Sequence, residues 1–194
     1  MPEVVHPVDE PLVAIEHRRI RNLHAYWHAG WYHARPVSLL RAEAMRRLSA
    51  VVEPMPDRFG LAVFDAWRPL ALQVELYEAA YSDPAMPPGF VAPPSDHPKT
   101  PSPHLTGGTV DLTLTIDGIP MALGTRYDDF TGLAAVAALE GAAGPDRDLR
   151  RLLYWAMRAQ GFVVLAGEWW HFEYGTRRWA AIRGCAPLYG PASP

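Results

Sequence analysis

Cysteine is nearly missing from this chain: Cys185 is the only one in 194 residues. That scarcity excludes an internal disulfide framework and a cysteine-rich zinc module. Long apolar runs are missing as well, since no stretch approaches the roughly 18 residues a membrane span requires. Basic charge is not in excess: 18 Lys and Arg stand against 21 Asp and Glu, a formal net charge of −3. Nucleic acid and anionic membranes both select basic surfaces, so neither is expected as a partner. The first twenty residues lack the basic start and apolar run of a signal peptide, which makes a cytoplasmic location the expectation. Repeats and blocks of like charge are absent too.

What is present suits one globular domain over residues 1–194. Hydrophobic residues make up 49% of the chain, and a globule of this length buries about 70% of its unfolded surface. No cross-link or structural metal is needed to hold it together. Eight histidines remain, so any bound metal must rest on histidines and carboxylates. Composition sets no oligomeric state.

Residues 1–35 carry scattered prolines, histidines and aromatics without a period, and read as an irregular segment packed near the site. From Ser38 to Val52, Leu40, Ala44, Leu48 and Val51 share one face, which predicts an amphipathic helix. Leu61–Asp65 reads as a buried strand. Pro69 can open a second helix, with Leu70, Val74, Tyr77 and Tyr81 on one face. Eight of the 20 prolines fall between Pro84 and Pro103, a density that no helix or central strand survives. This proline-rich loop, residues 82–103, delivers the chain to Ser102-Pro-His104.

Thr109–Thr115 then alternates as a strand, with Thr109, Asp111, Thr113 and Thr115 on one side. Asp117-Gly118 signals a hairpin turn. Leu133–Leu139 reads as a short helix capped by Thr131, and Pro145–Gln160 as a stronger one stopped by Gly161. Phe162–Leu165 and Trp169–Tyr174 read as strands. The mixed order predicts an α+β fold, a mainly antiparallel central sheet with flanking helices.

Chemistry concentrates at three places. Asp111 sits on a polar strand face, where a lone aspartate would ordinarily be solvated. His104 precedes it by seven residues at the end of a rigid loop, and Gly107-Gly108 allows a turn that folds both side chains towards one point. Glu168-Trp-Trp-His171 is the second place. A carboxylate beside two tryptophans lies in a low-dielectric setting that raises its pKa towards the range of a general base. Glu168 and His171 converge only if the strand begins irregularly, and Gly167 permits that. Two histidines, one aspartate and a non-ligating glutamate form a minimal kit for a hydrolytic zinc site, leaving a coordination position open for water. Arg68, in Asp65-Ala-Trp-Arg68-Pro69, is the candidate cation for a developing oxyanion, or else an ion-pair partner that pins its own turn to Asp65.

These residues carry a resemblance. Asp65-Ala-Trp-Arg68-Pro69, Ser102-Pro-His104-Leu-Thr-Gly-Gly-Thr-Val-Asp111 and Glu168-Trp-Trp-His171-Phe-Glu resemble, in order, the motifs of the D-alanyl-D-alanine dipeptidase family. These are zinc peptidases related to the vancomycin-resistance dipeptidase, and the resemblance runs from about Ser38 to Trp179. It implies a D,D-peptidase/hedgehog-like fold holding one Zn2+ per chain, with His104, Asp111 and His171 as ligands. It further implies Glu168 as catalytic base and Arg68 as oxyanion stabiliser. Leu123-Gly-Thr-Arg-Tyr-Asp128 resembles a further box whose aspartate meets the substrate's amino terminus, and Ser102 matches a substrate-proximal serine. The implied activity is hydrolysis of a small dipeptide, D-alanyl-D-alanine. Its rivals are a cell-wall D,D-carboxypeptidase or endopeptidase and a catalytically silent zinc-binding domain; a silent site needs neither Glu168 nor Arg68. The segment Asn22–Gly30 departs from the family's N-terminal pattern. His24 and His28 have helical spacing, but no glutamate lies between them and Gly30 weakens a helix there, so they read as packing or pocket wall.

Overall fold

The computed structural model describes residues 8–86, 88–89 and 91–194. Its central sheet runs in the order β2 (Ile20–Asn22), β4 (Phe59–Asp65), β5 (Thr109–Ile116), β8 (His171–Glu173), β7 (Val163–Val164). The short β6 (Ile119–Pro120) folds back on β5 through Asp117 and Gly118, both left-handed, as the hairpin signal requires. β2 lies parallel to β4 and the remaining neighbours are antiparallel, so the sheet is mixed. β1 (Leu12–Ala14) and β3 (Leu39–Arg41) form a separate antiparallel pair. The helices are α1 (Ala25–His28), α2 (Ala42–Val52), α3 (Leu70–Tyr81), α4 (Pro145–Ala159) and α5 (Arg177–Arg183). The architecture is α+β.

β5 is the spine. Val110, Leu112 and Leu114 are fully buried, and the threonine row on its other face is buried as well. A side chain on that polar row is therefore enclosed, and Asp111 loses the solvated setting an isolated strand would give it. α2 packs Ala44, Leu48, Val51 and Val52 into the main core, which β4, β5 and α4 share.

Several boundaries differ from the sequence reading. Residues 1–35 are not irregular throughout: they supply β1, β2 and α1, while residues 1–7 lie outside the described residues. The helix read from Ser38 begins at Ala42, because Leu39–Arg41 pair with β1. Pro69 is the extended residue before α3, and the buried face is Leu72, Gln73 and Leu76 rather than the Leu70–Tyr81 line. The helix read over 133–139 is a single 3-10 turn, Gly132–Ala134, with Thr131 as its cap. Its backbone turns instead to the segment carrying Glu168: Val136 donates to the Ala166 carbonyl and Trp169 donates to that of Ala134. The strand read from Trp169 starts only at His171. Between residues 82 and 103 the described residues form neither helix nor strand, as the prolines demand; Pro87 and Phe90 are outside that description.

Candidate active site

Register assembles the site. On β5, Asp111 lies opposite Asp65 of β4 on one side and His171 of β8 on the other. Cross-strand partners share a face, so three remote residues meet on one. A bulge between Val63 and Asp65 shifts the end of β4, and bulges commonly re-aim a side chain in this way. His104 comes from a 3-10 turn, His104–Thr106, that ends at left-handed Gly107. A Cβ on Gly107 would lie 2.4 Å from Leu12 Cδ2, and one on Gly108 would lie 2.3 Å from the Tyr174 carbonyl oxygen. Both glycines are needed to bring His104 over β5.

His104, Asp111 and His171 are buried, and one ligand atom from each lies within 4.8 Å of the others. Their outer contacts set their protons. His104 Nδ1 donates to the Ala66 carbonyl at 2.7 Å, which turns the Nε2 lone pair towards Asp111 Oδ2, 3.4 Å away. His171 Nε2 donates to Glu173 Oε1 at 3.1 Å, turning its Nδ1 lone pair towards Asp111 Oδ1 at 3.1 Å. Asp111 Oδ1 is buried and accepts no hydrogen bond. Two lone pairs facing each other at that distance require a cation, either a proton or a metal ion. In the protein's own charge field a proton takes that place: although burial opposes it, Asp111 and Glu173 push His171 up to about 10. Burial likewise works against Asp111 ionising, yet the two imidazoles, when protonated, hold its carboxyl far below the usual range. Two imidazole nitrogens and a carboxylate oxygen, each backed by an outer hydrogen-bonding partner, could hold a metal ion.

The triad opens on a cavity of about 500 Å³ lined also by Tyr26, Arg68, Asp128 and Glu168. Glu168 Oε2 is 3.6 Å from His171 Nδ1. The convergence arises because residues 165–170 form a turn rather than a strand, with Glu168 donating its backbone N–H to the Leu165 carbonyl. Gly167 is not in the left-handed region, so the turn does not depend on glycine's freedom. Burial raises the Glu168 pKa and the Asp111 charge adds to the effect, against the opposing pull of His171, His104 and Arg68.

Arg68 pairs with Asp65 of its own turn and also lines the cavity. It is buried; its Nε donates to Asp65 Oδ2 at 2.8 Å and its Nη1 to Gln73 Oε1 at 2.7 Å, while Nη2 stands 3.8 Å from Asp111 Oδ2. Asp128 does not cap the following turn, because Asp129 and Thr131 do that. It adopts a left-handed backbone, φ 56°, and faces the cavity, where it accepts from the Tyr26 hydroxyl at 2.9 Å. Burial and the Asp111 charge push it up to about 7, against Arg68 and the Tyr26 hydrogen bond. Ser102 is placed differently: its hydroxyl accepts from Ser95 N and donates to the Pro93 carbonyl, pinning the proline loop beside a neighbouring cavity.

Three residues at the site escaped the sequence reading. Glu173, buried and also bound by Thr176 and Arg178, anchors His171. Its position two residues after His171, on the same strand face, was the available signal. Tyr26 and Tyr127 sit 101 residues apart with hydroxyls 3.0 Å from each other, and no local pattern could pair them.

The family model described as D-ala-D-ala dipeptidase, of the peptidase M15 family, matches residues 37–182. A D-alanyl-D-alanine dipeptidase of Synechocystis sp. is 28% identical over 209 residues, covering 88% of this chain and 84% of that protein. A D-alanyl-D-alanine dipeptidase of Escherichia coli is 31% identical over 115 residues, 58% of this chain and 54% of its own length. The match makes the protein a member of a class of peptidases, and all three motif boxes fall within it. The chain belongs to the M15 D-Ala-D-Ala dipeptidase family.

Proposed function

We propose that the protein is a zinc-dependent dipeptidase that hydrolyses D-alanyl-D-alanine to two free amino acids, one metal ion serving one domain. The observation that carries this reading is the buried meeting of His104, Asp111 and His171, one ligand atom from each lying within 4.8 Å of the others, beside a carboxylate of raised pKa. His104, Asp111 and His171 would hold the ion. When bound, zinc supplies Lewis acidity and makes water a competent nucleophile at neutral pH.

The chain's own groups account for the remaining steps. Glu168 takes the water proton as the water oxygen bonds to the scissile carbonyl carbon, then delivers it to the departing nitrogen as the C–N bond breaks. Arg68 Nη2, aimed into the cavity and fixed by Asp65 and Gln73, stabilises the negative charge growing on the carbonyl oxygen. Asp128 receives the substrate's ammonium group, and ion pairing there restores the ionised carboxylate. Ser102 acts through the loop it pins rather than through its own hydroxyl. The described residues contain no helix long and apolar enough to cross a membrane.

The test is metal analysis of the purified protein together with an activity screen over D,D-, L,D- and L,L-dipeptides. Stoichiometric zinc and selective cleavage of the D,D-substrate are expected. A metal-free, inactive protein would favour a silent domain on the same fold, and faster cleavage of longer peptidoglycan peptides would favour a carboxypeptidase.

A further inference from the structure

Asp111 presents two unlike oxygens. Oδ1 faces His171 Nδ1 and accepts no hydrogen bond, whereas Oδ2, 3.4 Å from His104 Nε2, is already taken up by the Tyr127 hydroxyl at 3.0 Å. The Tyr127 ring is fixed independently: it stacks on Phe64, with centroids 4.4 Å apart and planes at 10°, and meets the edge of Trp170 at 5.7 Å. The phenol oxygen is thus held in place before any ligand arrives.

Counting protons shows where the Tyr127 hydroxyl points. It lies 3.0 Å from both Asp111 Oδ2 and the Tyr26 oxygen but has a single hydrogen. Tyr26 spends its own hydrogen on Asp128 Oδ2, and its oxygen already accepts from Arg68 Nη2 at 3.3 Å. With an ionised carboxylate on one side and a phenol already receiving a guanidinium N–H on the other, Asp111 is the stronger acceptor.

We propose that Tyr127 is a positioning residue for the metal centre: its hydroxyl pins Asp111 Oδ2 so that Oδ1 is the oxygen presented to the metal ion. The inference rests on the zinc reading above. Freed of the phenol, the carboxylate can turn about its Cβ–Cγ bond, and both oxygens then compete for the same position. Outer partners of ligating side chains commonly account for ten- to a hundredfold in metal affinity, and the same order is expected here.

The test compares the unaltered protein with Tyr127→Phe and Tyr26→Phe. Zinc affinity is read by competition with a chromophoric chelator, and ligand geometry by the visible spectrum of the cobalt-loaded protein. Phenylalanine keeps the ring on Phe64 and deletes only the hydroxyl, so the fold is retained. Tyr127→Phe is expected to weaken zinc binding by about ten- to a hundredfold and to alter the cobalt bands. Tyr26→Phe, which removes no hydrogen bond from Asp111, is expected to do neither. Unchanged zinc affinity and cobalt bands in Tyr127→Phe would overturn the assignment, as would an equal loss in Tyr26→Phe. Failure of the unaltered protein to bind zinc would overturn the metal reading and this inference with it.

Discussion

Two aspartates face the same cavity and are treated in opposite ways. Asp111 stands on the sheet floor between two imidazoles, which hold its carboxyl far down despite burial. Asp128 stands on a loop-built wall among phenols, where burial wins and pushes it up to about 7. Arg68 reaches towards both: its Nη2 is 3.8 Å from Asp111 Oδ2 and donates to Tyr26, which in turn donates to Asp128. Enclosure alone therefore decides neither carboxylate. Each accepts from a tyrosine hydroxyl; what differs is the pair of imidazoles acting on Asp111, whereas burial and the Asp111 charge dominate at Asp128. On the proposed reading, the floor holds a resident cation and the wall receives one that arrives and leaves.

The sharpest break between the two regions comes from removing chemistry without removing the floor. Glu168→Ala should retain stoichiometric zinc and lose activity on the order of a hundred- to ten-thousandfold, the usual contribution of a positioned general base. His104→Ala should lose the metal itself. Metal analysis and turnover measured on the same preparations separate the two outcomes, and full activity in Glu168→Ala would disprove the base assignment.

Next in size is the support beneath the floor. Glu173→Ala leaves the His171 Nε2 proton without its acceptor, and zinc affinity should fall about ten- to a hundredfold. Chelator competition measures it. On the wall, Asp128→Asn removes the proposed partner of the substrate ammonium while leaving the metal-site residues in place. A hydrogen bond to a charged group is worth about 1.5–3 kcal/mol, so kcat/KM should fall on the order of ten- to a hundredfold with zinc content unchanged. Steady-state kinetics should show that loss largely in KM. A loss confined to kcat would remove Asp128 from the binding wall.

The floor was legible because its geometry is local or periodic. Six residues, two of them glycines, lie between His104 and Asp111, and two lie between Glu168 and His171, so short-range stereochemistry limits what can meet within each pair, while the β5–β8 register joins the pairs. The wall was legible only as a family box at Asp128. Its tyrosines are brought together by tertiary packing over about a hundred residues, which no spacing encodes. Ser102 is adjacent to the His104 turn in sequence, and in the fold its hydroxyl bonds to Ser95 N and the Pro93 carbonyl, a pairing no spacing signals. The start of α2 was misplaced for a similar reason, because Leu39–Arg41 follow a helical period but pair with a strand from the N-terminal segment.

The smallest expected effect is the one that separates the two aspartates by sign. With metal removed, only the fold's own charges act. Asp128 ionises near 3.8 when free and at about 7 in the fold, so between those values the folded protein holds a proton that the unfolded chain has released. Stability must then fall as pH rises through that window. Asp111 behaves in reverse: its carboxyl is ionised in the fold well below the ordinary range, so its contribution is present above that range and is lost on acidification. Urea midpoints of the metal-free protein across this pH range, compared with those of Asp128→Asn and Asp111→Asn, read both slopes. Asp128→Asn should lift the decline towards neutral pH, and Asp111→Asn should flatten the acid limb. If both substitutions moved the profile in the same direction, the floor and the wall would not be the two distinct electrostatic environments drawn from the geometry.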